Sequence, residues 1–567
     1  MKILLTAVNS KYIHSNLAIR YLKSYTKDMD YECKIREFSI NDRVEKIVEE
    51  IMKEKPTIVV FSCYIWNMEY VKRISELIKL IDKNIEILYG GPEVSFNSQK
   101  FLENSIGNYV IEGEGEETYR EFLEKKLNGE DLKDIKGLYV KDEENKIYFG
   151  GTRPQMDMSK LAFPYDIDDE FKNKIIYYEA SRGCPFNCKY CLSSTIKGVR
   201  FLPLERVKKE LKFFIDNKVR LVKFVDRTFN CDHKFAKEIW KFLSEQDTNT
   251  TFHFEISADI LREDEIEILN KAPKGRFQLE VGVQTTNNKV LNNINRYITF
   301  DHIQEKVLGV KKGNNVHQHL DLIAGLPGED YECFKKSFND VYSLRPEALQ
   351  LGFLKLLKGS AMREEAEKWG IVYSPYAPYE IIRSNDLSYE ELIKLKRVEE
   401  VLDKYYNSQK FDNIIRFFEE KYETPFDFYY ALGEFFEDKG YFKRSIGNVE
   451  YYKVFLEFNN EKFNSKDEEI LKEVIKYDYL MFNKKKWLPE FLLRDITKDE
   501  ERIIRELIKE NFEKGRYHIE KFKIDVNLYI KNKEIKFSST YLIFDEENSN
   551  NIIDVSQNEA LKNIMEK

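Results

Sequence analysis

Cysteine is scarce in this chain: seven among 567 residues, too few and too unevenly spread for a disulfide framework. No run of about 18 apolar residues occurs, so the sequence offers no membrane span. Met1-Lys-Ile-Leu-Leu lacks the pattern of a secretory leader and reads as a strand. A basic surplus is missing as well. With 91 Lys and Arg against 99 Asp and Glu, and a net charge of −8, nucleic-acid binding is not expected. Neither a G-x-G-x-x-G turn nor a Walker P-loop is present, which sets aside the usual dinucleotide and triphosphate loops. These absences leave a cytoplasmic protein with no membrane or nucleic-acid partner. Its 14% aromatic and 34% charged residues describe well-cored domains under a charged skin.

The informative stretch is Cys184-Pro-Phe-Asn-Cys188-Lys-Tyr-Cys191, entered from a strand-like run, Ile175 to Ser181, through Arg182-Gly183. Thiolates bind soft metals and iron–sulfur clusters. A 4Fe-4S cube offers four irons and three thiolates fill three, so one iron stays open to an outside ligand, as one position stays open in a catalytic zinc site. Two plainer readings stand beside this one: three unrelated thiols, or zinc with a remote fourth ligand, for which neither Cys231 nor His233 has finger spacing. Cys33, Cys63, Cys231 and Cys333 are scattered and read as small buried residues. The lack of a second cysteine cluster argues against a methylthiotransferase or a multi-cluster maturase.

The cysteine loop, with the aromatic Tyr190 before its last cysteine, resembles that of the radical SAM family. The resemblance implies a 4Fe-4S cluster held by Cys184, Cys188 and Cys191, whose open iron is chelated by S-adenosylmethionine (SAM). One electron then breaks the sulfonium bond and gives a 5′-deoxyadenosyl radical, with a donor such as flavodoxin or ferredoxin as partner. Tyr190 would lie beside the adenine.

Residues 1–135 alternate strand and helix patterns in five βα units, the signature of a doubly wound, flavodoxin- or Rossmann-like sheet whose ligands sit at the strand carboxyl ends. Those ends carry His14, Trp66 in Ser62-Cys-Tyr-Ile-Trp-Asn67, Gly90-Gly91-Pro92-Glu93 and Glu112-Gly113-Glu114-Gly115-Glu116. Placed ahead of a radical SAM core, the segment resembles the cobalamin-binding domain of cobalamin-dependent radical SAM proteins. That implies a cobalamin cofactor, approached by backbone at Gly90, Gly91, Gly113 and Gly115, with His14 as a candidate neighbour. The Asp-x-His-x-x-Gly motif of other cobalamin enzymes is absent, so cobalt would have no protein histidine. A vestigial domain that shapes a substrate channel, and a His14 that caps a helix or bonds to backbone, are the plainer alternatives.

Residues 136–170 read as a hairpin and a proline-marked linker. Six further βα units in 171–360 predict a partial, TIM-like (β/α)6 barrel, with the cysteine loop after its first strand as barrel sites demand. Four later residues resemble the SAM-binding positions of the coproporphyrinogen dehydrogenase branch: Glu255 and Gln284 for the ribose, Arg296 for the carboxylate, and the Ile323 backbone for adenine. Rim salt bridges are the plainer reading of each. After the second strand the relatives' glycine-glycine-glutamate turn is replaced by Phe224-Val-Asp226-Arg-Thr-Phe-Asn230, leaving Asp226 as a candidate beside the SAM amine. His317 and His319 alternate on one strand face, as satisfied interior residues, cavity lining or metal ligands. Residues 361–567 read as a mostly helical domain, with helices to about Lys485, the aromatic run Phe426–Tyr430 as core, and strands at His518–Ile530 and Glu534–Phe544. This segment resembles an uncharacterised C-terminal domain of one cobalamin-type subgroup. The chain is thus expected to be α/β in its first two domains, an anaerobic enzyme whose leading reaction is methyl transfer to an unactivated carbon of an unknown substrate. A rearrangement, cyclisation or oxidation without methyl transfer and a non-catalytic iron–sulfur or cobalamin sensor are the alternatives.

Overall fold

A computed structural model describes residues 1–166, 171, 174–483, 487–511, 515–546 and 551–558. The chain divides into two compact units: Met1–Pro346 with Leu351–Tyr389, and Glu347–Gln350 with Glu390–Lys567. Residues 361–389, expected to open the C-terminal domain, therefore group with the first unit.

The first unit opens with β1 (Lys2–Asn9), β2 (Glu32–Ser39), β3 (Ile58–Ser62), β4 (Glu86–Gly90) and β5 (Tyr109–Ile111). They pair in parallel in the order β2-β1-β3-β4-β5. Every residue of β3 is buried because helices cover both faces, which is why Ile-Val-Val-Phe shows no alternation. The helix Val44–Lys53 turns Val44, Ile47, Val48 and Ile51 inward at three- and four-residue spacing. The hairpin β6 (Leu138–Lys141) and β7 (Ile147–Phe149), expected in a separate linker segment, continues this sheet antiparallel to β5. The free edge of the three-residue β5 explains the addition, since an unpaired edge is a liability.

The barrel follows with β8 (Ile175–Tyr178), the short pair β9 (Ser181–Gly183) and β10 (Val199–Phe201), then β11 (Leu221–Phe224), β12 (Thr251–Ile256), β13 (Phe277–Gln284), β14 (His317–Ala324) and β15 (Ala348–Phe353). Six of these form an open sheet in the order β15-β14-β13-β12-β11-β8. The expected first strand, Ile175 to Ser181, stops at Tyr178, and its last residues turn away to pair antiparallel with β10. Phe224 and Phe254 on the sheet pack with Phe229 of the turn after β11, and Trp240 of the helix His233–Ser244 meets Phe254. Beyond β14, Glu329 is buried; it accepts from the Thr285 hydroxyl at 2.5 Å and the Ser337 hydroxyl at 3.2 Å. Burial pushes its carboxyl up to about 8. The sign follows directly: the folded state prefers the proton, so this contribution to stability is full below the ordinary carboxyl range and is lost as pH rises through about 8. Glu329→Gln is expected to flatten that fall, worth a few kcal/mol at most, in urea unfolding compared at pH 5.5 and 8.5.

The second unit contains the helices Asp412–Glu419, Pro425–Asp438, Asn448–Phe463 and Glu468–Phe482. Phe426, Phe428 and Tyr429 are core residues, as expected. The helical stretch expected to reach Lys485 is described to Phe482; Lys484–Lys486 lie outside the described residues. Tyr517–Phe522, Thr540–Asp545 and Ile552–Asp554 make a small antiparallel sheet. One expectation is corrected here. Val526–Asn532 is a helix, not the end of a strand, because Asp525 caps it by accepting from the Leu528 N–H and Val526 and Tyr529 turn inward together. Among the described residues no helix is long and apolar enough to cross a membrane.

Candidate active site

The cysteine loop hangs from the β9–β10 pair. Gly183 closes that pair with φ +102°, and a side chain there would drive its Cβ into the Gly198 carbonyl. Within the loop the Cys191 N–H donates to the Cys188 carbonyl at 3.2 Å. Lys189 anchors the middle: its N–H donates to the Ile294 carbonyl at 3.1 Å, its carbonyl accepts from the Met362 N–H at 2.9 Å, and its ammonium meets Glu365 at 2.9 Å. All three cysteines are half-buried. Burial pushes the Cys188 thiol up, Arg296 opposes it, and Cys191 and Cys184 reinforce it, so the three sulfurs share one neighbourhood. Among the described residues no three His, Cys, Asp or Glu side chains converge as ligands of a single ion would. A 4Fe-4S cube takes one thiolate per iron and so does not need three side chains converging on a single ion.

Around the loop the structure gathers several of the expected SAM residues. The Arg296 guanidinium donates to the Tyr190 hydroxyl at 3.3 Å. Gly282 lies beside both Gln284 and Arg296, 3.5 Å from the latter's Nη1 to the position a Cβ would take. The Gln284 Oε1 is buried without a hydrogen-bond partner among the described residues. A buried orphan acceptor is costly unless a ligand supplies a donor, and a ribose hydroxyl is such a donor. Burial raises the Glu255 carboxyl, with Arg227 opposing. Ile323 shares one half-buried face of β14 with His317, His319 and Asp321.

Asp226 and His14 both have partners within the chain. Asp226 is buried beneath the hairpin, accepting from the Ala180 N–H at 3.0 Å and the Ser181 hydroxyl at 2.6 Å, with burial pushing it up to about 7. It braces the strand that enters the cysteine loop. His14 neither caps a helix nor bonds to backbone through its ring. Its Nδ1 meets the Tyr177 hydroxyl at 2.6 Å, and its backbone bridges Ile175 at the free edge of β8. The glycine turns also differ in use. Gly91, φ +112°, presses against the Cys63 backbone, whereas a Cβ on Gly113 would meet nothing within 4 Å among the described residues. Gly90 and Gly115 sit beside Ile111, a partner that leaves space at ordinary contact distance.

Three features escaped the sequence reading. Tyr64 and Trp66 stack at 4.5 Å between centroids at the end of β3, and Trp66 is 41% exposed at that ligand edge. The barrel's inner face is polar. Lys223 and His253 both contact Glu280, at 3.0 and 2.9 Å, and hold its carboxyl down at about 2 against burial. His319 lies on the same face, driven down to about 4 by burial and by His317 and His253. The period-two polar residues Lys223, His253, Glu280 and His319 were the available signal. Last, the glutamates of both glycine turns bind basic residues of the barrel region: Glu93 meets Lys358 at 2.6 Å, and Glu116 meets Arg182 at 2.5 Å.

A partial barrel with a three-cysteine loop after its first strand, behind a parallel-sheet domain, is the arrangement expected of a cobalamin-type radical SAM protein. Comparison with known families agrees: "B12 binding domain" matches residues 3–123, "Radical SAM superfamily" matches 178–341, and "Protein of unknown function (DUF4080)" matches 367–544. The chain therefore carries a B12-binding domain followed by a radical SAM domain. It is similar to an uncharacterized methyltransferase of Pyrococcus horikoshii, 26% identical over 56% of this chain and 70% of that protein. It is similar also to the cobalamin-dependent radical SAM methyltransferase TokK of Streptomyces tokunonensis, 23% identical over 59% of this chain but only 52%, about half, of that protein. Among solved structures, the radical S-adenosylmethionine methyltransferase TsrM of Kitasatospora setae, with cobalamin and a 4Fe-4S cluster bound, shares the fold. Its TM-score is 0.55 at 15% identity, covering 67% of this chain and 79% of that one.

Proposed function

We propose that this enzyme cleaves SAM at a cluster held by Cys184, Cys188 and Cys191 and transfers a methyl group, by way of cobalamin, to an unactivated carbon. The observation that carries the reading is the loop itself: three half-buried thiols in one neighbourhood, beside Tyr190, Arg296 and the orphan Gln284 acceptor. Both donor sets fit their groups. The thiols suit three irons of a cube, and the open space at Gly113 and the exposed Trp66, both at strand carboxyl ends of the same sheet, suit a large flat cofactor approached by backbone. When bound, these groups supply a 5′-deoxyadenosyl radical and a transferable methyl.

The chain's own residues then bind and orient. Arg296 offers a planar fork for a carboxylate, and Gln284 and Glu255 offer acceptors for a diol. Asp226 keeps the hairpin, and with it the loop, in place. The polar barrel face around Lys223, His253 and Glu280 is where a substrate would lie. A flavodoxin or ferredoxin would deliver the electron in the cytoplasm. The similarity to methyltransferases supports methyl transfer over a rearrangement or oxidation.

The test is product analysis after anaerobic reconstitution with iron, sulfide and cobalamin. Methyl transfer requires both S-adenosylhomocysteine and 5′-deoxyadenosine. Formation of 5′-deoxyadenosine alone would move the assignment to the rearrangement or oxidation class, and a cluster that never cleaves SAM would leave a sensor.

A further inference from the structure

Arg182 stands two residues ahead of Cys184, on β9, with its side chain only 11% exposed. Its fork is fully engaged. Nη2 donates to Glu116 Oε1 at 2.5 Å, Nη1 to Glu116 Oε2 at 3.3 Å, and Nε to Glu179 at 2.9 Å. Directly opposite on β10, in register with it, Arg200 donates to Glu114 at 3.1 Å and to the Met156 carbonyl at 2.6 Å. Glu114 and Glu116 both come from the glycine turn after β5, the ligand edge of the N-terminal domain. Each strand that frames the cysteine loop thus carries an arginine, and each arginine is answered by an acid from that turn. Backbone approach to a cofactor explains the glycines of the turn but not its glutamates. Two arginines face three acids, Glu114, Glu116 and Glu179, in this group of side chains 6–21% exposed, next to the segment that enters the loop; burial raises the Glu179 carboxyl, while Arg182 opposes it. Charges so poorly exposed to water act on their surroundings with little screening.

We propose that Arg182 is a positioning residue for the iron–sulfur cluster, and that Glu116 of the N-terminal domain sets the cluster's reduction potential through it. The inference rests on the cluster assigned under the proposed function. Reducing the cluster adds negative charge, which a carboxylate nearby opposes and a guanidinium favours. The N-terminal domain therefore acts on the electron-accepting step electrostatically, through Arg182, as well as by holding a cofactor.

The experiment is an anaerobic redox titration of the reconstituted full-length chain, read by electron paramagnetic resonance, with iron counted in each variant. Glu116→Gln removes a negative charge and is expected to shift the midpoint to higher potential. Arg182→Gln removes a positive charge and is expected to shift it lower, while Arg182→Lys, which keeps the charge, restores it toward wild type. Opposite signs in the two glutamine variants are the signature of charge. A merely structural role would move both the same way, and unchanged midpoints in both would equally overturn the inference. Should Arg182→Gln fail to fold, Arg200→Gln supplies the same loss of charge from the facing strand. A wild-type chain that assembles no cluster contradicts the proposed function itself; a normal cluster indifferent to these charges contradicts only this inference.

Discussion

Cys188→Ala is expected to abolish cluster assembly and to bring SAM cleavage down to background. Each thiolate in a site of this kind holds its own iron, so losing one leaves a second iron uncapped and the distinction between protein-held and open corners disappears. Cys188 is half-buried in a loop fixed by the backbone of Lys189, so the fold should survive, with a stability change within about 1 kcal/mol. Iron analysis and the visible absorption of the reconstituted protein read the loss, and circular dichroism confirms the fold. Cys231 is the informative control. Its thiol is pushed up by burial and by Cys184, which places it near the loop. Cys231→Ala is expected to retain the full iron content. Loss of iron in that variant would mean that Cys231 closes the fourth corner, and the enzymatic reading would fall.

Gly91→Ala is expected to cost roughly 3–5 kcal/mol and to prevent cobalamin binding. The glycine has φ +112°, where any side chain is strained, and its Cβ would stand 2.6 Å from the Cys63 carbonyl oxygen and 3.0 Å from the Cys63 nitrogen. Neither backbone can retreat, because the Cys63 N–H donates to the Gly90 carbonyl at 2.7 Å and the Glu93 N–H to the Cys63 carbonyl at 3.3 Å. Backbone strain of about 1–3 kcal/mol adds to an overpacking cost of similar size. Urea unfolding should show the loss, and difference absorption with hydroxocobalamin the missing cofactor. Gly113→Ala separates stability from binding. Its φ of +78° carries a smaller strain and its Cβ meets nothing within 4 Å among the described residues, so the fold should lose about 1 kcal/mol. Weakened cobalamin binding there would locate the cofactor's approach; undiminished binding would place it elsewhere.

Much of this was readable because short-range pattern and tertiary demand coincide. Val44–Lys53 shows its buried stripe in sequence, and the unbroken apolar run of β3 signals a strand covered on both faces. The cysteine loop is legible because its chemistry lies within eight residues. What was missed depends on partners distant in sequence. Asp226 is expected from its place after the second strand to sit beside the SAM amine, and its carboxylate accepts from Ala180 and Ser181, forty-five residues or so earlier. Glu116 and Arg182 are 66 residues apart, and no local pattern marks them as a pair. The segment Val526–Asn532 alternates like a strand, but one aspartate cap and an inward pair at three-residue spacing decide for helix. The β9–β10 pair was hidden because its three-residue strands are too short for periodicity and depend on Gly183 rather than on apolar content.

The open iron is most directly tested by the electron paramagnetic resonance spectrum of the reduced cluster, recorded before and after addition of SAM. A corner free of protein ligands binds the added molecule, so the spectrum should change on addition and the change should saturate at one equivalent per chain. A fully loaded cluster whose spectrum is indifferent to SAM would show that protein already occupies every iron.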